Sequence, residues 1–182
     1  MNLMQKIFII ISIVGLFLVS CSNPKKDAKT ELVESIAVLE QKCYNDSDNS
    51  YDHKMALKTL NEYQKFIKEY PEDSLSAHYL YLGGQLSKSI NLYGEAIHQF
   101  ETLIKDFPHY SHVANAKFLI GMIYENDIKD TAKARQNYQE FIEQYPTDDL
   151  VDDAQFLIQN LSLTDEQLIQ LLESKSKNDS IM

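Results

Sequence analysis

Two groups of residues in this sequence have types and spacing that could support chemistry. His109 and His112 stand three residues apart near an expected helix start, where two imidazoles on one helix face could share a metal ion. Metal binding needs at least one more ligand and an inward-facing site, so we interpret this pair as surface polar residues. The second group is a carboxylate cluster, formed by Asp148, Asp149, Asp152 and Asp153.

The carboxylate cluster would have to be desolvated before its members could divide acid and base roles. Beside a helix start, aspartates instead cap free backbone N–H groups and interact favourably with the helix dipole. The loop spacing does not support a calcium site. The chain also lacks the motifs G-x-S-x-G, H-E-x-x-H and the phosphate loop. The sequence therefore predicts a protein that is not an enzyme and that needs no metal or cofactor.

Both groups follow a proline, and the prolines belong to a repeat. Pro71, Pro108 and Pro146 are 37 and 38 residues apart and end the hexapeptides FIKEYP, LIKDFP and FIEQYP. Upstream of each proline, apolar residues recur at offsets of three and four, which is typical of one face of an α-helix. Ten residues downstream stand Tyr81, Phe118 and Phe156, each followed by leucine. Each proline therefore separates two amphipathic helices, and the repeating unit is a helix pair.

The helices after the prolines need capping residues and close packing. Asp73, Ser111, Asp148 and Asp149 are the expected N-caps. Alanine and glycine at the crossing points allow neighbouring helices to approach closely, and the aromatic residues fill the space between pairs. Because one pair cannot bury its apolar face alone, the pairs must stack.

The order of small and aromatic residues in these pairs resembles the tetratricopeptide repeat. One copy carries Gly84, Ala96, Phe100 and Pro108, and the next carries Gly121, Tyr124, Ala134, Tyr138 and Pro146, with one extra residue in the turn ENDIKD. The usual unit has about 34 residues. The longer first helix, in YPEDSLSAHYLYLGG and FPHYSHVANAKFLIG, resembles the repeats of bacterial envelope proteins such as BamD and the C-terminal domain of CpoB.

The expected fold is all-α: a right-handed α-solenoid of about three to four tetratricopeptide-like helix pairs with a C-terminal capping helix. Residues 30–44 and 52–70 form a degenerate first pair around the loop NDSDNSYD, and residues 149–161 begin a fourth pair. A capping box over residues 164–167 opens the final helix, which ends near Glu173. We expect the solenoid domain to span residues 30–173, followed by a disordered tail at 174–182.

The N-terminus has the pattern of a secretory signal peptide, with Lys6 followed by a 13-residue apolar run over residues 7–19. Leu18-Val19-Ser20-Cys21 resembles the bacterial lipobox, which implies cleavage after residue 20 and acylation of Cys21. An uncleaved N-terminal anchor is the alternative. Residues 21–29 then form a polar tether. With Ser22 after the cysteine, we expect a lipid anchor in the bacterial cell envelope, at the outer membrane and facing the periplasm.

Lipidation of Cys21 leaves Cys43 without a partner in the chain. Cys43 continues the apolar face of Leu32, Ile36 and Leu39, so we interpret it as a small buried hydrophobic residue. The formal net charge of -10 would repel nucleic acid and anionic lipid head groups, so we expect neither as a partner.

The resemblance implies that polar residues on the first helix of each pair face a partner-binding groove. The candidates are His78, Gln85 and Lys88 on one helix and Asn115, Met122 and Glu125 on the next. Ordinary solvated surface is the alternative for these six. Tyr70, Tyr81, Tyr138 and Tyr145 are interpreted as packing residues at repeat-core positions.

These observations lead to a lipid-anchored scaffold that binds a protein or an extended peptide in the envelope. Two specific versions remain open: an accessory, BamD-like factor in outer-membrane protein assembly, and a CpoB-like coordinator of envelope growth or division. A ligand-binding lipoprotein with a solenoid frame is a different class of function. Self-association through an uncapped repeat face is a third, against which the capped C-terminus argues.

Overall fold

The computed structural model describes residues 27–45, 50–161, 163, 167, 169 and 170. The predicted signal peptide, Cys21, residues 22–26 of the tether and the tail lie outside the described residues, whereas residues 27–29 of the tether are described. Of the expected final helix, only Gln167, Ile169 and Gln170 are described, and they are helical. Within the described residues, no helix combines the length and apolar character required to span a membrane.

Between residues 27 and 161, the described chain contains seven α-helices and one π-helical segment. The α-helices are α1 (Ala28–Cys43), α2 (His53–Glu69), α3 (Ser74–Ser89), α4 (Tyr93–Asp106), α5 (Val113–Met122), α6 (Thr131–Gln144) and α7 (Val151–Asn160), and the π-helix is Ile123–Ile128. Two short strands, β1 (Tyr44–Asn45) and β2 (Ser50–Tyr51), join α1 to α2 as an antiparallel ribbon. This ribbon corrects the prediction of a plain loop, because Tyr44 and Tyr51 pair across the strands.

Each helix packs mainly against the helix before it and the helix after it in the chain. The pairs are therefore α1 with α2, α3 with α4, and α5 plus the π-helix with α6, and α7 begins a fourth. The prediction of an all-α solenoid of stacked helix pairs is confirmed. The hydrophobic core consists of three clusters of buried residues, which follow one another along the chain as the helix pairs do. This arrangement is expected where each repeat contacts only its neighbours.

The three proline turns share one geometry. The residue before each proline ends the helix, with φ close to -130° and ψ of 57°: Tyr70, Phe107 and Tyr145. The carbonyl of that same residue then accepts a hydrogen bond from the N–H three residues on, at 3.0, 3.0 and 3.1 Å. Proline disfavours the α conformation in the residue before it and has no N–H to extend the helix. The hexapeptide repeat is thus a repeated helix stop.

Aspartates cap most helix starts. Asp27, Asp52 and Asp130 each accept a hydrogen bond from the backbone N–H three residues on, and Asp73 accepts one from Leu75 N. The prediction that Ser111 caps the next helix is wrong. The N-cap of α5 is His112, without a side-chain hydrogen bond, because the backbone turn from Tyr110 to Val113 supplies the bond instead. The prediction that Asp148 or Asp149 caps α7 is also wrong, because its N-cap is Leu150. Asp148 Oδ1 accepts a hydrogen bond from Leu150 N–H just before the helix, and Asp152 and Asp153 occupy its first turn.

Glycines mark the places where the two helices of a pair touch. A Cβ on Gly84 would stand 2.5 Å from the Phe100 ring, and one on Gly121 would stand 2.6 Å from the Tyr138 ring. Both rings are fully buried. In these two helix pairs, the aromatic ring therefore occupies the space that a side chain at the glycine position would need.

The extra residue in ENDIKD is absorbed by the π-helix Ile123–Ile128. A π turn takes up one residue more than an α turn, so the residues after it keep their place in the repeat. Lys129 then ends the segment in the left-handed conformation at φ 65°, as Asn91 does after α3 at φ 63°.

Candidate partner-binding surface

A continuous strip of polar and aromatic side chains joins α3 to the following repeat. We name it the first-helix surface and define it as His78, Tyr81, Gln85 and Lys88 of α3 with Tyr110, His112, Asn115 and Asp127. At its centre, Gln85 Nε2 donates to the Tyr81 hydroxyl over 3.0 Å, and that hydroxyl donates to Asn115 Oδ1 over 2.8 Å. Each of these three side chains is partly or fully exposed.

Aromatic rings form one end of the first-helix surface. The Tyr81 ring stacks on the His112 ring, with centroids 4.6 Å apart and an interplanar angle of 16°. Tyr110 meets His112 edge-on at 5.5 Å, and its hydroxyl lies 3.1 Å from His78 Nδ1. Burial raises the pKa of both Tyr81 and Tyr110, so their hydroxyls remain protonated at neutral pH and can donate hydrogen bonds.

An ion pair forms the other end. Lys88 Nζ of α3 lies 3.5 Å from Asp127 Oδ2 of the π-helix. That oxygen is buried and has no hydrogen bond from the described residues, so the Lys88 charge is its main compensation. This ion pair connects α3, in the second helix pair, to the π-helix, in the third.

The structure brings together four of the six residues proposed from the sequence: His78, Gln85, Lys88 and Asn115. The other two have different surroundings. Met122 is half-buried against the apolar cluster of the third pair. The Glu125 carboxylate accepts a 2.6 Å hydrogen bond from the Tyr138 hydroxyl.

Sequence reasoning missed four members of the surface: Tyr81, Tyr110, His112 and Asp127. The sequence predicts a packing role for Tyr81, and its ring does lie beside that of Phe100, with centroids 6.1 Å apart, but its hydroxyl reaches the surface. For His112, the sequence predicts an exposed polar residue, which agrees with its exposure, but it gives no indication of the stacking on Tyr81. Tyr110 and Asp127 lie in a turn and in the π-helix, where a helical period gives no information about direction. For Tyr81, the available signal was a tyrosine where the other repeats have phenylalanine.

A tyrosine–glutamate hydrogen bond ties the two helices of the first and third pairs. Tyr63 of α2 donates to Glu40 Oε1 of α1 over 2.7 Å, which matches the bond between Tyr138 and Glu125. Burial, reinforced by the neighbouring carboxylate, raises the pKa of Tyr63 and Tyr138 above the ordinary tyrosine range. The corresponding residue of the second pair is Phe100, which has no hydroxyl.

The first-helix surface offers hydrogen-bond donors, acceptors and flat ring faces on a rigid pair of helices. Such groups recognise the backbone amides and side chains of a polypeptide. Among the described residues, no group of three or more histidine, cysteine or carboxylate side chains has the geometry to hold a metal ion. His109 and His112 remain on the exposed side of the turn before α5.

Comparison with known proteins supports the repeat assignment. A search of curated proteins finds no significant match to this chain. Residues 115–148 match the tetratricopeptide repeat family model. The match begins in α5, includes the π-helix and α6, and ends just after the proline turn, so it covers the third helix pair. The described chain is therefore an all-α helical-repeat solenoid similar to tetratricopeptide repeat proteins.

Proposed function

We propose that this protein is a scaffold that binds another protein, or an extended segment of one, on the first-helix surface. The observation that carries the proposal is the chain of hydrogen bonds from Gln85 through Tyr81 to Asn115, which spans two repeats at the surface. Tetratricopeptide repeats generally mediate protein–protein interactions, which agrees with the match over residues 115–148. No bond is made or broken in this function, so the protein acts as a binding module and not as an enzyme.

Binding on this surface has a simple physical basis. The helices that carry the side chains are packed on both sides by their neighbours, so little ordering is needed when a partner arrives. The partner backbone can exchange hydrogen bonds with Asn115 and Gln85, and its side chains can cover the rings of Tyr81 and His112. The acidic chain, with a formal net charge of -10, favours partners with basic surfaces.

We further propose that the scaffold is anchored by lipid on Cys21 at the outer membrane of a bacterial cell and faces the periplasm. The support is the apolar run over residues 7–19 followed by Leu18-Val19-Ser20-Cys21. Anchoring would confine the binding surface near the membrane and raise the effective concentration of partners there.

Within this setting, the specific role we propose is an accessory, BamD-like factor in outer-membrane protein assembly. Its support is the long first helix shared by YPEDSLSAHYLYLGG and FPHYSHVANAKFLIG. A CpoB-like coordinator of envelope growth or division rests on the same feature and is the second candidate. A solenoid that frames a small-ligand site remains a third.

Crosslinking and co-purification from membranes tests the proposal. We expect the native chain to recover a protein partner, and the triple variant His78→Ala, Gln85→Ala, Asn115→Ala to recover at least tenfold less. Lys105→Ala is the matched control, because its side chain is 84% exposed on α4, away from the strip. Cys21→Ser tests the anchor separately and should release the chain from the membrane fraction. Equal recovery by the native chain and the triple variant would contradict the proposed surface.

A further inference from the structure

A cavity of about 250 Å³ lies where the end of α1 and the ribbon meet α2 and α3. The residues that give it its chemistry are Glu40, Cys43, Tyr44, Tyr51, Tyr63 and Gln85. Pockets for drug-sized ligands have volumes of roughly 300–1,000 Å³. The cavity is therefore of the size that suits one amino-acid side chain.

A carboxylate gives the cavity its charge. Glu40 accepts its hydrogen bond from the Tyr63 hydroxyl, which holds the carboxylate in place, and no salt bridge between described residues involves it. Glu40 also lies in the last turn of α1, where the helix carbonyls carry a partial negative charge. Both contributions favour a positively charged occupant.

Aromatic rings flank the same space. Tyr44 and Tyr51 face each other across the ribbon, with ring centroids 5.3 Å apart in an edge-to-face arrangement. Their exposed fractions are 40% and 41%, so part of each ring is accessible to a ligand that enters the cavity. Cations bind favourably to tyrosine faces, and the effect is larger where water is excluded.

The Cys43 thiol contributes to the cavity as an unreactive wall. Cys43 is 3% exposed, and burial raises the pKa of its thiol. The thiol is therefore neutral at ordinary pH and serves as an apolar wall. A carboxylate at one point and apolar or aromatic walls elsewhere match the shape of a cationic side chain, which has an aliphatic stem and a charged end.

We propose that this cavity binds a lysine or arginine side chain of the partner that occupies the first-helix surface. Gln85 connects the two regions, because it lines the cavity and also donates a hydrogen bond to Tyr81. A polypeptide lying along α3 can therefore place one side chain against Glu40 while its backbone meets Asn115. This inference rests on the proposed function, and it adds the chemistry by which the partner is selected.

Small cations that imitate the two side chains test the cavity without the partner. The full chain in detergent micelles is titrated with n-butylammonium and n-butylguanidinium chloride, and with n-butanol as the neutral probe, while amide NMR signals of Tyr51 and Gln85 are followed. We expect saturable shifts with both cations and none with n-butanol. The Kd should rise at least tenfold in Glu40→Gln, which keeps an acceptor for Tyr63. Glu31→Gln, on the exposed face of α1, should leave the Kd unchanged.

Equal shifts with n-butanol, no shifts with either cation, or the same Kd in Glu40→Gln would each overturn the cavity proposal. Thermal unfolding of the two variants establishes that both are folded. The outcome is separable from the proposed function. If only the cavity proposal fails, the triple surface variant still loses its partner, whereas if only the proposed function fails, the cations still bind.

Discussion

At the scale of single residues, the fold depends on a few close contacts between glycine and aromatic rings. Gly84 touches Phe100 and Gly121 touches Tyr138, and each ring is completely buried. Gly94, by contrast, lies in the first turn of α4, and a Cβ there would meet no atom within 4 Å. A methyl group is therefore expected to fit at Gly94 and to clash at Gly84 and Gly121.

This difference gives a direct prediction for stability. Gly84→Ala should lower the free energy of unfolding by about 1–3 kcal/mol, because the Phe100 ring cannot move away without disturbing the core. Gly94→Ala should raise it by up to about 1 kcal/mol, since alanine restricts the unfolded chain and fits the helix. Urea unfolding of both variants measures the two changes. Equal effects of the two substitutions would show that the close approach at Gly84 is unimportant.

Two buried tyrosines should make the protein sensitive to alkaline pH. The folded-state pKa of Tyr63 and of Tyr138 is raised, so their contribution to stability is complete below the unfolded pKa of about 10. Above that pH the unfolded tyrosines ionise first, and stability falls by up to about 1.4 kcal/mol per pH unit for each group.

Tyr138→Phe tests this linkage. The variant should lose about 1–2 kcal/mol near neutral pH, because Glu125 loses its hydrogen-bond donor. Its stability should then decline less steeply than that of the native chain between pH 10 and 12. Urea unfolding at several pH values gives both slopes. Tyr51→Phe, which removes a more exposed hydroxyl, is the matched control, and identical slopes for Tyr138→Phe and the native chain would contradict the account.

At the scale of the elements, the turns between paired helices are the places where the repeats differ. Lys129 and Asn91 both take left-handed backbone conformations at the end of the first helix of a pair. Asparagine adopts this conformation readily, whereas lysine has no side-chain group that compensates for it. The left-handed conformation costs about 1–2 kcal/mol for an ordinary residue.

Lys129→Gly should therefore raise the free energy of unfolding by about 0.5–1 kcal/mol, after the entropy of glycine in the unfolded chain is subtracted. Asn91→Gly should not raise it, since asparagine already tolerates the conformation and its Oδ1 accepts a 2.7 Å hydrogen bond from the Tyr93 hydroxyl that glycine would remove. Thermal unfolding of the two variants makes the comparison. A loss of stability in Lys129→Gly would mean that the lysine side chain makes a contribution beyond its backbone angle.

The elements also show how far sequence reasoning could go. The proline turns and the helix pairs were predictable because proline stops a helix and the apolar spacing has one period. The ribbon at Tyr44 and Tyr51 was not, because two-residue strands carry no detectable alternation. The π-helix was visible only as one extra residue in ENDIKD.

The first-helix surface was predictable in part, because helical periodicity also indicates which side of a helix a residue faces. His78, Gln85, Lys88 and Asn115 lie on regular helices, so the helical period gives their direction correctly. Glu125 and Asp127 lie in the π-helix, where the period changes. There the carboxylate of Glu125 meets Tyr138, while that of Asp127 reaches Lys88.

At the scale of the whole molecule, the described helices build one stack in which side chains on first helices reach from repeat to repeat. Tyr81 reaches Asn115, and Lys88 reaches Asp127. The second helices carry the proline turns, and the proposed function assigns recognition to the first helices. The central claim is that a protein partner docks on the first-helix surface and not on the exposed face of α4.

Site-specific photocrosslinking in cells measures this claim most directly. A photoreactive phenylalanine analogue placed at Gln85, on the first-helix surface, should give a discrete adduct with a protein partner. The same analogue at Lys105, an exposed position on α4, should give at least tenfold less. Adducts formed equally at the two positions, or formed only at Lys105, would contradict the account.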